Sequence, residues 1–176
     1  MIAPEPIEFS GYVPGALGRV VEMMTAYYAR THGFGVYFEA KTADEMAEFL
    51  RRFDASRDLF VVALSCGRVI GSIAVIGEPA GGGARLRWFF LEPEACGRGL
   101  GRKMLADALR FCRERFASVH LWTISGLDAA AHLYREAGFV LTNETRGANW
   151  GIQVVEQRFE LRFDRTVAGE RFPGDA

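Results

Sequence analysis

The chain has 176 residues, 49% of them apolar, and a formal net charge of −1. That length suits one domain able to bury a full core without staples, and the near-neutral charge excludes a global attraction to nucleic acid or to a membrane surface. Cys66, Cys96 and Cys112 form an odd, scattered set with no disulfide framework and no metal-ligand spacing, so a reducing compartment is expected.

The opening Met1-Ile2-Ala3-Pro4-Glu5-Pro6 lacks a basic region followed by an apolar run. No apolar stretch is long enough to span a bilayer, so a cytoplasmic location is expected by elimination. Residues 7–9 read as a short first strand. Pro14 opens a helical pattern through Leu17, Val20, Val21, Met24 and Tyr28, stopped near His32-Gly33. Thr42 with Glu45 is a capping-box pattern that starts a second helix through Met46, Phe49, Leu50 and Phe53. Two β-branched runs, 59–64 and 69–76, flank Cys66-Gly67-Arg68 and predict a hairpin. A flexible loop at 79–83 follows, then a strand at 86–91 stopped by Pro93. Residues 98–116 carry the clearest helix, with Leu100, Met104, Leu105, Ala108, Phe111 and Cys112 on one face. A strand at 119–124, a short helix at 128–137 ended by Gly138, and strands at 139–142 and 154–163 complete the order. The expected class is α/β: a mixed, mostly antiparallel sheet of about six to seven strands, with about four helices on both faces. One domain over 5–163 is expected, with a polar tail at 164–176.

Cys96-Gly97-Arg98-Gly99-Leu100-Gly101 stands between a strand and the best helix. The first N–H groups of a helix lack intrahelical partners and carry the positive end of its dipole. Glycines let an anion approach them closely, so the loop reads as a phosphate cradle, with Arg98, Arg102 and Lys103 adding charge. A dinucleotide fingerprint would need Gly at Arg102, and a Walker A loop would need Gly-Lys followed by Ser or Thr. Taken alone, the loop is read equally well as a turn that binds nothing.

A second cluster changes that balance. Leu91-Glu92-Pro93-Glu94-Ala95-Cys96-Gly97-Arg98-Gly99-Leu100-Gly101 resembles the acetyl-CoA motif of the GNAT superfamily. Downstream, Ala130-Ala131-His132-Leu133-Tyr134-Arg135-Glu136-Ala137-Gly138-Phe139 resembles the same family's second motif. Residues 28–40, Leu121-Trp122-Thr123 and Gln157-Arg158-Phe159-Glu160-Leu161 further resemble the transferase half of MarR–GNAT fusion proteins, although 176 residues are too few for the winged-helix half as well. Cys96 departs from the Arg or Gln that usually opens the pyrophosphate loop.

The resemblance implies an N-acetyltransferase in which a neutral primary amine attacks the thioester of acetyl-CoA directly. The amine would be a protein lysine, an N-terminus or a small molecule. Backbone around Phe89, Phe90 and Leu91 would pair with the pantetheine amides, and Cys96, Gly97, Arg98, Gly99, Leu100, Gly101, Arg102 and Lys103 would hold the diphosphate. An N–H near Leu91 would polarise the acetyl oxygen. Tyr134 would protonate the leaving thiolate, as a phenol of pKa about 10 suits. The base stays open between Glu92, Glu39 and water, and Tyr28, Phe34, Tyr37 and Trp150 are candidates for the acceptor pocket. Asp128 reads as a helix cap, and Cys96, close to a helix N-terminus, is expected to have a lowered pKa. The alternative is a CoA-binding sensor or regulatory module without transfer. The basic residues Arg98, Arg102, Lys103, Arg110 and Arg113 are expected to be solvated, not nucleic-acid contacts. A homodimer through an edge strand at 154–163 is compatible with the pattern.

Overall fold

The computed structural model describes residues 6–78 and 82–164. Residues 1–5, the loop positions 79–81 and the tail from 165 onward lie outside the described residues. The elements run β1 (Ile7–Ser10), α1 (Ala16–His32), α2 (Val36–Arg51), β2 (Leu59–Ser65), β3 (Arg68–Gly77), β4 (Ala84–Leu91), a 3-10 turn (Pro93–Ala95), α3 (Leu100–Arg115), β5 (Ser118–Ile124), α4 (Asp128–Glu136), β6 (Val140–Gly147) and β7 (Val154–Arg162). The seven strands form one sheet in the order β1-β2-β3-β4-β5-β7-β6. Every step is antiparallel except β4–β5, which is parallel. The mixed α/β class and the mostly antiparallel sheet are those expected from the sequence.

Periodicity explains the layers. α3 buries Met104, Leu105, Ala108, Leu109 and Cys112, one helical stripe, against Ile73, Val75, Leu86, Val119, Leu121 and Phe159 of the sheet. Ala131 and Tyr134 of α4 join that core. On the opposite face, Val20 and Met23 of α1 and Met46 and Phe49 of α2 cover Phe60, Val62, Ala74, Trp88 and Phe90. Each such fully buried side chain contributes about 1.5–3 kcal/mol of transfer free energy. The β2–β3 hairpin turns at Cys66 and Gly67, whose φ angles of 48° and 75° give the left-handed pair that a tight hairpin needs. No helix among the described residues is long and apolar enough to cross a membrane.

Several boundaries differ from the sequence reading. α2 begins at Val36, so Thr42 is a buried residue inside the helix and caps nothing. α3 begins at Leu100 behind Gly99. β6 extends to Gly147, well past residue 142, and forms an outer strand of the sheet, opposite β1. β7 is paired on both sides, by β5 and by β6, so 154–163 is not an edge.

The feature that positions the site is a bulge in β4. Ser72 pairs with Phe90 and Ala74 with Arg87, so Trp88 and Phe89 together oppose Ile73 alone, and Trp88 takes φ 45°. An inserted residue switches side-chain parity. Ala84 and Leu86 therefore face the α3 core, whereas Trp88 and Phe90 face the α1–α2 core. The bent strand leaves β5 early. The two pair only at Ala84↔Val119 and Arg85↔His120, and from there they diverge.

Candidate active site

The divergence of β4 and β5 opens two cavities that share Tyr28, Phe89 and Tyr134. The outer one is a groove of about 780 Å³. Its walls are Phe89, Phe90 and Leu91 of β4 on one side and the start of α4, from Gly126 to Ala130, on the other. Among the described residues the β4 edge facing the groove has no strand partner beyond Arg85, so its N–H and C=O groups are open to an extended ligand. The inner cavity, about 100 Å³, is lined by Phe34, Phe38, Trp150 and a charged group formed by Lys41, Glu45, Arg85 and Arg87.

The Gly-rich loop forms a further part of the groove wall, with Gly101 set against Phe89 and Leu91. Cys96, Gly97, Gly99, Gly101 and Arg102 line it. Gly97 and Gly99 hold φ values of 77° and 76°, the left-handed region that L side chains avoid, while a methyl on either would meet nothing within 4 Å. Conformation, not crowding, therefore requires these glycines. Gly99 is the N-cap of α3, no side chain caps that helix, and its first turn holds no acidic residue. The positive end of the helix dipole is left bare towards the groove. The residues present fit an elongated cosubstrate that carries a diphosphate partway along its length.

The flanking charges divide. Arg102 lines the groove but is bonded to Glu136 of α4 at 2.8 Å. Lys103 bonds Asp107 at 3.0 Å, with Nζ 5.2 Å from the Phe9 ring centroid, and lines no part of the groove. Arg98 is exposed and also lies off the groove wall. Leu100 turns its side chain to the core and can offer only backbone. Cys96 departs from the expected lowered pKa: partial burial, and then Glu94, push its thiol up. The chain from Cys96 to Gly99 separates it from the first N–H groups of α3, and its Sγ lies 3.5 Å from the Glu92 carbonyl oxygen.

Tyr134 sits where the two cavities meet and is 6% exposed. Its ring packs 5.8 Å from Phe139 and 5.8 Å from Phe159, centroid to centroid. Burial, and then neighbouring Tyr28, push its phenol well above the ordinary tyrosine range. Tyr28 is raised too, by burial and then by Tyr27. Both phenols therefore stay protonated at any physiological pH.

Glu92 is drawn away from both cavities. Arg19 holds its carboxylate, and Arg68 lies 3.4 Å from the same oxygen. Glu39 is exposed and lines neither cavity. Of the aromatics expected at an acceptor pocket, Tyr28, Phe34 and Trp150 line the inner cavity, whereas Tyr37 is 56% exposed and lies outside it. Asp128 is the first residue of α4 and caps nothing; Leu127 is the N-cap. The α4 start and the Lys41–Glu45–Arg85–Arg87 group escaped the sequence reading. Gly126, with φ 88° just ahead of the N-cap Leu127, was the available signal for the first. The alternation Arg85-Leu86-Arg87 within a strand was the signal for the second.

A family model described as the acetyltransferase (GNAT) family matches residues 21–139. Among solved structures, a Salmonella typhimurium protein with its cofactor acetyl-CoA superposes with TM-score 0.70 at 18% identity, over 94% of this chain and 99% of that one. The spermidine N-acetyltransferase of Vibrio cholerae, in complex with CoA and spermine, gives 0.66 at 18% identity, over 89% and 95%. An acetyltransferase of Streptococcus agalactiae gives 0.70 at 20% identity, over 89% and 98%. At such identities the likeness carries the fold. No relative is found among curated proteins.

Proposed function

Because this chain belongs to the acetyltransferase (GNAT) family, we propose that it transfers the acetyl group of acetyl-CoA to a primary amine by direct attack in the gap between β4 and β5. The supporting observation is the meeting of an elongated groove with a small inner cavity at Tyr28, Phe89 and Tyr134. The family's cosubstrate is acetyl-CoA, which supplies the activated thioester. In this reading the open edge of Phe89, Phe90 and Leu91 receives the pantetheine arm. The N–H groups of Arg98, Gly99, Leu100 and Gly101 receive the diphosphate, with Gly97 shaping the turn. Arg102 adds charge from the groove wall.

Tyr134 serves as the general acid. Its raised pKa makes it a weaker acid than free tyrosine, but the leaving group is a stronger base in the same surroundings. The same burial raises the basicity of a thiolate expelled beside Tyr134, so the proton can pass to it from the phenol as the thioester breaks. For the attacking amine, the inner cavity offers Glu45 as its one carboxylate. Burial raises the Glu45 pKa, but hydrogen bonds from Lys41 and Arg87 outweigh that and hold it below the ordinary value. We therefore assign the proton of the incoming ammonium to water and not to Glu92, Glu39 or Glu45. Nearby guanidinium groups favour the neutral amine by like-charge repulsion.

Within the family, residues 28–40, 121–123 and 157–161 support kinship with the transferase half of MarR–GNAT fusions. The domain is taken as 5–163, in a reducing cytoplasmic setting that suits three cysteines outside any disulfide. A second copy of the chain would add to the sheet along β6, one of its two outer strands among the described residues. Cys96, standing where the family carries Arg or Gln, favours one other reading, a CoA-binding module that does not transfer. Free-thiol release from acetyl-CoA over a panel of amines separates the two. Acetyl-CoA binding without thiol release on any amine leaves only the binding module.

A further inference from the structure

The inner cavity holds more positive charge than a proton-donating tyrosine requires. Lys41, Arg85 and Arg87 line it against one carboxylate, Glu45. Glu45 is already engaged, with Lys41 Nζ 2.7 Å from Oε1 and Arg87 on Oε2. Arg87 is fixed a second time by stacking, its Cζ 4.5 Å from the Trp88 ring centroid. Arg85 is different. Its Nε is buried and has no hydrogen-bond partner, a condition shared among the described residues only by Arg57 Nε. Burial, and next the charge of Arg87, depress its pKa, with Glu45 only partly opposing them. A half-buried guanidinium whose buried Nε has no partner lacks an anion.

We propose that the acceptor is an amine of amino-acid size that also carries a carboxylate, and that Arg85 receives this carboxylate while the nitrogen faces Tyr134. The inference rests on the transferase reading above. The planar guanidinium matches a carboxylate in a way an ammonium cannot. An anionic group balances the surplus of cations, which would repel a polyamine. A cavity of about 100 Å³ suits a small molecule. Phe34, Phe38 and Trp150 leave an apolar wall for its side chain. The same cations that hold the acid disfavour the ammonium form of the amine, which compensates for the absence of a free base.

The test uses the full chain, acetyl-CoA and free-thiol release. Acceptors are L-leucine, L-methionine and L-phenylalanine, each against its primary amide, with spermidine alongside. The free acids are expected to exceed their amides in kcat/KM by on the order of 10- to 100-fold, mainly through KM, as loss of a charged hydrogen bond implies. Spermidine should be the poorest acceptor. Arg85→Gln should bring the acid-to-amide ratio close to unity, and Arg85→Lys should retain part of it. A second readout is calorimetric: N-acetyl-L-leucine should bind the CoA-loaded protein more tightly than N-acetyl-L-leucinamide. Should Arg85→Gln fail to fold, the two wild-type comparisons decide alone. Thiol release with amides or spermidine but not with the acids overturns this inference and leaves the transferase reading intact. An acid preference that Arg85→Gln leaves unchanged overturns the role of Arg85. Absence of thiol release with every acceptor overturns both.

Discussion

Replacing Tyr134 with Phe removes one oxygen from the junction of the two cavities and leaves the ring in place. That ring sits 6.3 Å from Phe89, 5.8 Å from Phe139 and 5.8 Å from Phe159, all contacts a phenylalanine keeps. Folding stability should therefore change by no more than about 1 kcal/mol. A positioned general acid contributes roughly 10²–10⁴ in rate, which is about 3–5 kcal/mol of barrier. Tyr134→Phe should lower kcat by that factor while the calorimetric Kd for acetyl-CoA stays within about threefold. Because burial raises this phenol, wild-type kcat should show no loss from its ionisation as pH climbs to about 10, where a free tyrosine begins to ionise. Tyr28→Phe is the necessary comparison, since Tyr28 touches the same junction. A kcat that survives Tyr134→Phe refutes the assignment. If Tyr28→Phe is then the slow variant, the proton comes from Tyr28.

Gly99→Ala should cost about 1–2 kcal/mol in a thermal or urea melt, because φ 76° is left-handed; it should also weaken acetyl-CoA binding, and an unchanged Kd would detach the α3 N-terminus from the cosubstrate. Glu92→Gln should lower stability by about 1 kcal/mol through its lost pairing with Arg19, with kcat nearly unchanged; a collapse of kcat would restore Glu92 as the base. Burial, followed by Arg158, depresses the His120 pKa, so the unfolded chain binds the proton first. Stability should be full above about 6.5 and fall as pH drops below it. His120→Asn should flatten melts over that range, which is well above the range where Glu45, Asp107, Glu136 and Glu160, all held low by their partners, take up protons.

The parts of the fold that rest on a clean period were legible. The α3 stripe, the β2–β3 hairpin and the Gly-rich loop all declared themselves through spacing and composition. The misplaced start of α2 shows how a local motif misleads. Thr42 and Glu45 match a capping box, yet Thr42 is 5% exposed inside the helix and Glu45 turns to Arg87. The spacing Phe34, Phe38, Thr42, Met46 was the truer signal. β6 was cut short because an outer strand with nearly every residue exposed has no core face to pattern it. The bulge at Trp88 was hidden for the opposite reason: 88–91 is apolar throughout, so no alternation marks where parity switches. The aromatic side of the inner cavity was legible in Tyr28, Phe34 and Trp150, but its charged side was not, because that side is made by the switch. Only a bent β4 brings Arg85 and Arg87 together with Lys41 of a helix some forty residues earlier.

The central claim is that acetyl-CoA is held by backbone: the open edge of β4 and the bare first turn of α3. Amide hydrogen exchange with and without acetyl-CoA tests it most directly. Slowed exchange confined to Phe89, Phe90 and Leu91 and to Gly99, Leu100 and Gly101 is the expected result. Saturating acetyl-CoA that leaves both segments exchanging as they do in the free protein would contradict it.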